Sequence, residues 1–306
     1  MLNLAVIILT YNEELHIARA IRSIQNIAQD IVVIDSQSMD RTVDIASGLG
    51  ARVFQHAFVN QARQFGWAMT HCDVTAEWTM RLDADEYVEP DLATNLAAQL
   101  PSLPPSVTGI NLKRKQIFMD RWIRYGDRYP LVMLRVWRTG MAEIEDRWMD
   151  EHLFVTSGAT VTLDGGFADH NLNPLAWFID KHNKYATREA IEIITQRHSL
   201  NDGCSAVAIG NSSTQVGAKR FLKQSFYEKL PFPIAATLYF LYRYVIRFGF
   251  LDGIEGAIYH FLQGYWYRFL VGARVFELSR EIARVPAETD LAAKLTELTG
   301  LPISSN

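Results

Sequence analysis

Glu77-Trp78-Thr79-Met80-Arg81-Leu82-Asp83-Ala84-Asp85 is a largely apolar run that closes on two carboxylates. It reads as a buried strand, with Asp83 and Asp85 just past its carboxyl end. Two carboxylates there can hold one divalent cation, and such a cation can neutralise a diphosphate. The triplet is weak by itself, because short acidic triplets are common in loops and often only cap helices. Position strengthens it, since open α/β sheets gather ligands at the carboxyl ends of their strands.

The chain before this run alternates strand and helix. Leu4 to Leu9 reads as a first parallel strand, followed by a helix with Ile17, Ile21 and Ile24 on one face. Ile31-Val32-Val33-Ile34 is a second strand, ending in Asp35. A helix from about Asp40 turns Val43 and Ala46 inward, with Gly48 and Gly50 as stop signals. Ala51 to Phe54 is a third strand, and a helix covers Asn60 to Thr70. The fourth strand ends at Leu82. This alternation argues a parallel sheet between helices.

Pro101-Ser102-Leu103-Pro104-Pro105 then reads as a linker, and the pattern changes after it. Gly109 to Phe118, Val132 to Arg138 and His152 to Leu163 read as longer strands, so the second part of the sheet is mixed. From Pro174 the chain reads as almost entirely helical.

Composition bounds the partners. The chain has 306 residues, 49% of them hydrophobic, which suits one large domain or a domain with an appendage. A net charge of -4 gives no global signature for nucleic acid. Cys72 and Cys204 have no metal-ligand spacing and fit a reducing compartment. The apolar run after Asn3 is too short for a signal peptide and lacks its basic flank.

Residues 221–276 hold 17 of the 35 aromatics, and 219–280 carry nine Lys or Arg against four Asp or Glu. Leu230 to Tyr242 is uncharged for 13 residues before Arg243 and Arg247 intervene. A spanning helix needs about 20 apolar residues, so none is expected. Basic residues among aromatics suit helices lying in a membrane interface; a helical core or an interface between copies in a homo-oligomer is the alternative.

Acidic residues follow three strands: Glu13 in Thr10-Tyr11-Asn12-Glu13-Glu14, Asp35 in Asp35-Ser36-Gln37-Ser38-Met39-Asp40-Arg41-Thr42, and the pair Asp83 and Asp85. In a parallel sheet they converge on one edge. No G-x-G-x-x-G and no P-loop is present, so a metal and basic residues must meet any phosphate charge. With Asn60-Gln61-Ala62-Arg63-Gln64-Phe65-Gly66, these motifs resemble family 2 glycosyltransferases of the GT-A fold over roughly residues 1–100. A narrower similarity, to bacterial enzymes of lipopolysaccharide-core and exopolysaccharide assembly, extends to about residue 190.

That resemblance implies an α/β GT-A nucleotide-diphospho-sugar transferase fold with a mixed, mostly parallel sheet. It implies a catalytic domain over 1–172, with a nucleotide-sugar half at 1–100 and an acceptor half at 106–172. Residues 173–306 read as a helical region, with the aromatic and basic stretch 219–280 as its membrane-interfacial part. Thr10, Tyr11 and Glu13 would line the nucleoside pocket, Asp35 would bind the base and Arg63 would face the nucleotide. Asp83 would touch ribose or metal, and Asp85 would bind Mg²⁺ or Mn²⁺. His170, in Gly165-Gly166-Phe167-Ala168-Asp169-His170-Asn171, is a candidate third ligand, or else part of a helix-start cluster.

Inverting transfer also requires a base for the acceptor hydroxyl. Trp148-Met149-Asp150-Glu151-His152 offers Asp150 and Glu151, and comparable triplets in related enzymes favour Glu151. Lys181, Lys184 and Arg188 share a helix face that could meet an acceptor diphosphate or lipid headgroups. Asp202 to Gln215 reads as a loop. The implied activity moves a sugar from a nucleotide-sugar donor, UDP-linked, to a lipid-linked saccharide acceptor at the cytoplasmic face of the inner membrane. Nucleotidyl transfer would call for a Gly-rich basic loop where Thr10-Tyr11-Asn12-Glu13-Glu14 stands. A non-catalytic scaffold fits poorly with so many intact acidic positions.

Overall fold

The computed structural model describes residues 1–144, 153–201, 230–284, 290–301 and 303. Two units make up the chain: Met1–Asn173 with Gly249–Gly256, and Pro174–Phe248 with Ala257–Asn306.

The first unit opens with β1 (Leu2–Thr10), α1 (Ile17–Ile24), β2 (Ala28–Asp35), α2 (Thr42–Gly48), β3 (Arg52–Gln55), α3 (Gln61–His71) and β4 (Trp78–Asp83). It continues with β5 (Glu86–Val88), α4 (Pro90–Gln99), β6 (Val107–Phe118), β7 (Arg121–Ile123) and β8 (Leu131–Arg138). A small hairpin of β9 (Ala142–Ile144) and β10 (Leu153–Val155) and a long β11 (Ala159–His170) complete it. The main sheet runs β3-β2-β1-β4-β8-β6-β11-β5, with β7 on β6. β3, β2, β1 and β4 are parallel neighbours, whereas β8 is antiparallel to β4 and to β6. The sheet is mixed, as the longer strands after residue 106 predict.

Leu4 to Ile8 of β1 are all fully buried, because both faces of the sheet are covered. Leu4, Val6 and Ile8 pack with Ile17, Ile21 and Ile24 of α1, while Ile7 joins Val32, Ile34, Phe65 and Ala68 on the opposite face. Alternation along the strand therefore builds two core layers. Each such aliphatic side chain contributes about 1.5–3 kcal/mol on burial.

Four sequence expectations change. Val43 is only half-buried; Thr42 and Ala46 carry the buried face of α2, and Ile45 and Leu49 pack against the core beside them. β5 and α4 occupy the stretch between Asp85 and the prolines, where the sequence reading placed no element. Pro101–Pro105 is no loose linker, since it lies within the first unit and its carbonyls are held from β8. Arg138 Nε donates to Val107 O at 2.9 Å, and its Nη2 reaches Leu103 O at 3.2 Å and Pro104 O at 3.3 Å. Finally, the expected strand over 152–163 is two, β10 and β11, parted by a turn in which Gly158 has φ +84°. A Cβ there would lie 2.5 Å from Thr108 side-chain atoms, so the turn needs glycine on both counts.

The second unit is helical in its described residues: α5 (Leu175–Asn201), α6 (Phe232–Leu241), α8 (Tyr267–Ile282) and α9 (Leu291–Thr299); α7 (Gly253–Tyr259), between α6 and α8 in the chain, has its first four residues in the first unit. Tyr242–Ile246 and His260–Trp266 are wider, π-helical turns. Ala186, Ala190 and Ile194 of α5 pack on Val271, Val275 and Leu278 of α8 and on Leu295 of α9. Tyr267 Oη donates to Glu189 at 2.6 Å. Among the described residues no single helix is long and apolar enough to cross a membrane, although Phe232–Ile246 and Gly249–Ile282 meet that test together as a bent pair. Cys204 and the Asp202–Gln215 loop lie outside the described residues.

Candidate active site

Parallel pairing brings the acidic sites together. Thr10 pairs with Asp35 and Leu9 with Asp83, so β1, β2 and β4 end at one edge. There the loops after β1 and β2 interlock. Asn12 N donates to Ser38 Oγ at 2.8 Å, and Met39 N donates to Asn12 Oδ1 at 2.9 Å. Glu13 N reaches Thr42 Oγ1 at 2.7 Å, and Arg41 N reaches Glu14 Oε2 at 3.2 Å. Asn12 and Gln37 take φ of 54° and 64° to allow this, a conformation that Asn tolerates better than most residues. Asp40 accepts from Thr42 N at 3.0 Å and from Glu14 N at 3.1 Å. Partial burial would raise its pKa, but these hydrogen bonds outweigh it and hold Asp40 below the ordinary carboxylate range.

Asp35 is fully buried. Its Oδ1 accepts from Thr10 Oγ1 at 3.0 Å and from Ser38 Oγ at 2.5 Å, and its Oδ2 from Ser38 N at 2.8 Å. It clips the two loops together from beneath. Tyr11, by contrast, is 55% exposed. Glu13 accepts from His16 Nδ1 at 2.6 Å, and Leu172 N donates to His16 Nε2 at 2.8 Å. The second bond makes Nε2 the acceptor, so Nδ1 carries the proton given to Glu13. Arg63 sits exposed on α3, where Asn60 Oδ1 caps its N–H at 2.7 Å.

Asp83 and Asp85 differ in surroundings. Arg81 Nε donates to Asp83 Oδ1 at 3.0 Å and Arg135 Nη2 to Oδ2 at 3.3 Å. Burial would raise the Asp83 pKa, but the two guanidiniums outweigh it and hold the group well below the usual carboxylate range. Glu86 closes the turn by accepting from Asp83 N at 3.0 Å. Burial pushes its carboxyl up to about 7, against the pull of Arg135. Asp85 lies half-buried in the turn between β4 and β5, and its Oδ2 accepts from Asn171 Nδ2 at 3.1 Å.

His170 ends β11 rather than starting a helix. Its Nδ1 accepts from Arg19 Nη1 at 3.1 Å, so its Nε2–H donates to Asp120 Oδ1 at 3.0 Å. Burial, with the Arg19 charge, pushes its pKa down. A neutral ring bonded at both nitrogens has no lone pair to give a cation in this arrangement. Among the described residues no three His, Cys, Asp or Glu side chains gather as a metal site. A divalent cation at this edge would have one protein carboxylate, Asp85, with the remaining positions left to phosphate oxygens and water.

Asp150 and Glu151 lie outside the described residues. On α5, Lys184 pairs with Asp180 at 2.7 Å and Lys181 stands over the Trp177 ring at 4.6 Å, so both cations already have partners on their own helix.

Residues 5–167 match the glycosyl transferase family 2 profile, more than half of the chain. The chain belongs to glycosyl transferase family 2. The mixed sheet flanked by helices is the GT-A-like frame expected of this family. An uncharacterized glycosyltransferase of Rickettsia typhi is 38% identical over 92 residues, which is 30% of this chain and 31% of that protein. One of Rickettsia bellii is 39% identical over 89 residues, 29% of this chain and 30% of that protein. The chain thus aligns with about a third of the length of these relatives. A crystal structure of glucosyl-3-phosphoglycerate synthase from Mycobacterium tuberculosis is 19% identical and covers 36% of this chain and 43% of its own, with a TM-score of 0.32.

Sequence reasoning missed Arg19, His16, Arg135 and Asn171 in this family 2 site. Arg81 was within reach, because residues two apart on a strand share a face and Arg81 therefore lies beside Asp83. The others come from distant elements and carry no local signal.

Proposed function

We propose that this protein transfers a sugar, with inversion, from a UDP-linked donor to a lipid-linked saccharide in bacterial cell-surface polysaccharide assembly. The observation that carries the reading is the placement of Asp85 on the turn after β4, at the edge where the interlocked β1 and β2 loops end. Thr10, Tyr11 and Glu13 line the nucleoside pocket, with Asp35 as its floor beneath the base. Arg63 faces the nucleotide. Asp83, held ionised by Arg81 and Arg135, accepts from ribose hydroxyls. Asp85 holds Mg²⁺ or Mn²⁺, which when bound neutralises the departing diphosphate. Glu151, or its neighbour Asp150, takes the proton of the attacking hydroxyl.

The helical region docks on the inner membrane surface. Ile234, Leu238, Leu241 and Val245 recur at spacings of three and four and are 44–50% exposed, which presents an apolar stripe to lipid. Arg247, also exposed, would meet anionic headgroups.

Incubation with UDP-sugars and Mn²⁺ tests the catalytic reading. UDP release that disappears in Asp85→Ala is the expected result. Release that survives the substitution sinks the metal role, and absence of both release and nucleotide binding favours a scaffold.

A further inference from the structure

Asn171 contacts Asp85 with a defined polarity. Its Oδ1 accepts from the Asn173 backbone N–H at 2.9 Å, an Asx-type turn that settles which end of the amide is oxygen. Nδ2 must then face Asp85, and it donates to Oδ2 at 3.1 Å. The Asp85 backbone is gripped as well. Its carbonyl accepts from His170 N at 3.0 Å and from Arg19 Nη2 at 3.3 Å, and the same Arg19 nitrogen also donates to His170 O. Main chain and carboxylate are both fixed, by α1 on one side and by the residues at and just past the end of β11 on the other.

We propose that Asn171 is a positioning residue that sets how Asp85 meets its cation and, through that, which cation the site prefers. The proposal rests on the reading of Asp85 as the metal ligand. With the amide on Oδ2, Oδ1 is the freer oxygen and Asp85 favours ligation through it. Single-oxygen contact suits Mg²⁺ and Mn²⁺, which favour octahedral oxygen coordination, whereas Ca²⁺ readily takes a carboxylate through both oxygens. Without the amide, Oδ2 is released and the balance moves toward Ca²⁺. Partners that orient a metal ligand typically matter by 10- to 100-fold in metal affinity.

The test is Mn²⁺ and Ca²⁺ binding to the full chain in the presence of UDP, followed by calorimetry or by the Mn²⁺ spin signal. Asn171→Leu should weaken Mn²⁺ by about 10- to 100-fold and Ca²⁺ by less, with metal-free UDP binding unchanged. Asn171→Asp keeps an acceptor for the Asn173 N–H, and so the turn, but has no donor; the Ca²⁺-to-Mn²⁺ affinity ratio should rise there too. An unchanged ratio in Asn171→Asp, equal losses for both cations, or a parallel loss of metal-free UDP binding overturns the assignment. Wild-type protein that binds no Mn²⁺ with UDP, or binding that survives Asp85→Ala, overturns instead the reading of Asp85 beneath it.

Discussion

Arg135 Nη2 lies 2.7 Å from Glu86 Oε1, and both side chains are almost wholly buried. Arg135 comes from β8 and Glu86 from β5, two strands that are not neighbours in the sheet. Removing Arg135 takes a guanidinium from Glu86 and from Asp83 together. Arg135→Met should therefore cost about 3–5 kcal/mol in urea denaturation, because Arg114, at 3.4 Å from the same oxygen, compensates only in part. The double variant Arg135→Met/Glu86→Leu should lose far less than the sum of the singles. Additive losses would mean that the pair is not coupled.

The base is assigned from sequence, and kinetics can decide it. Glu151→Gln should lower the transfer rate by about 10²- to 10⁴-fold while donor binding stays intact. Asp150→Asn should retain most of the rate. The opposite pattern would move the role to Asp150.

The apolar stripe on α6 and the turn after it gives the membrane reading a direct test. Leu238→Asp with Val245→Asp should leave the fold intact, since both positions are half-exposed, yet abolish co-sedimentation with vesicles containing anionic lipid. If vesicle binding is unchanged while the protein becomes monomeric, the stripe is an interface between copies.

His182 predicts an acid-sensitive second unit. Burial pushes its pKa below the ordinary value, with the Lys181 charge adding to the effect. Its Nδ1–H donates to Phe178 O at 2.8 Å, and Nε2 accepts from Gln263 Nε2 at 2.6 Å. Protonation would set a donor against a donor. The unfolded ring takes up a proton near pH 6.5 while the folded ring stays neutral, so stability present above that pH is lost as pH falls through and below it. Between pH 7 and pH 5 the wild-type Tm should therefore drop further than that of His182→Gln. Parallel curves would show that the ring titrates normally.

Where order along the chain matches order in space, the fold is legible. β1 to β4 and their helices follow from periodicity, and the convergence of Asp35, Asp83 and Glu13 follows from parallel pairing alone. The site's supporting contacts are different. His16 meets Leu172 and Arg19 meets His170 across some 150 residues of chain, and no local pattern encodes such a meeting. His170 shows the same limit, because its neighbours in sequence suggest a helix start while its pairing with Ile117 makes it the last residue of a strand. β5 is three residues long, too short for alternation to announce it.

The grip of Arg138 on Leu103 O, Pro104 O and Val107 O bears on how this protein can be taken apart. A proline-rich stretch normally invites a cut, a tag or a circular permutation at its middle. Here the same stretch is riveted to β8 by a guanidinium that also stacks over Trp78 at 4.4 Å and pairs with Glu77. Fragments divided at Pro104 would each inherit half of one sheet, the N-terminal piece exposing the flank of β4 and the C-terminal piece carrying an arginine that keeps Val107 O but loses Leu103 O, Pro104 O, Glu77 and Trp78. The stretch before Pro104 is not a module that can be lent to another protein on its own.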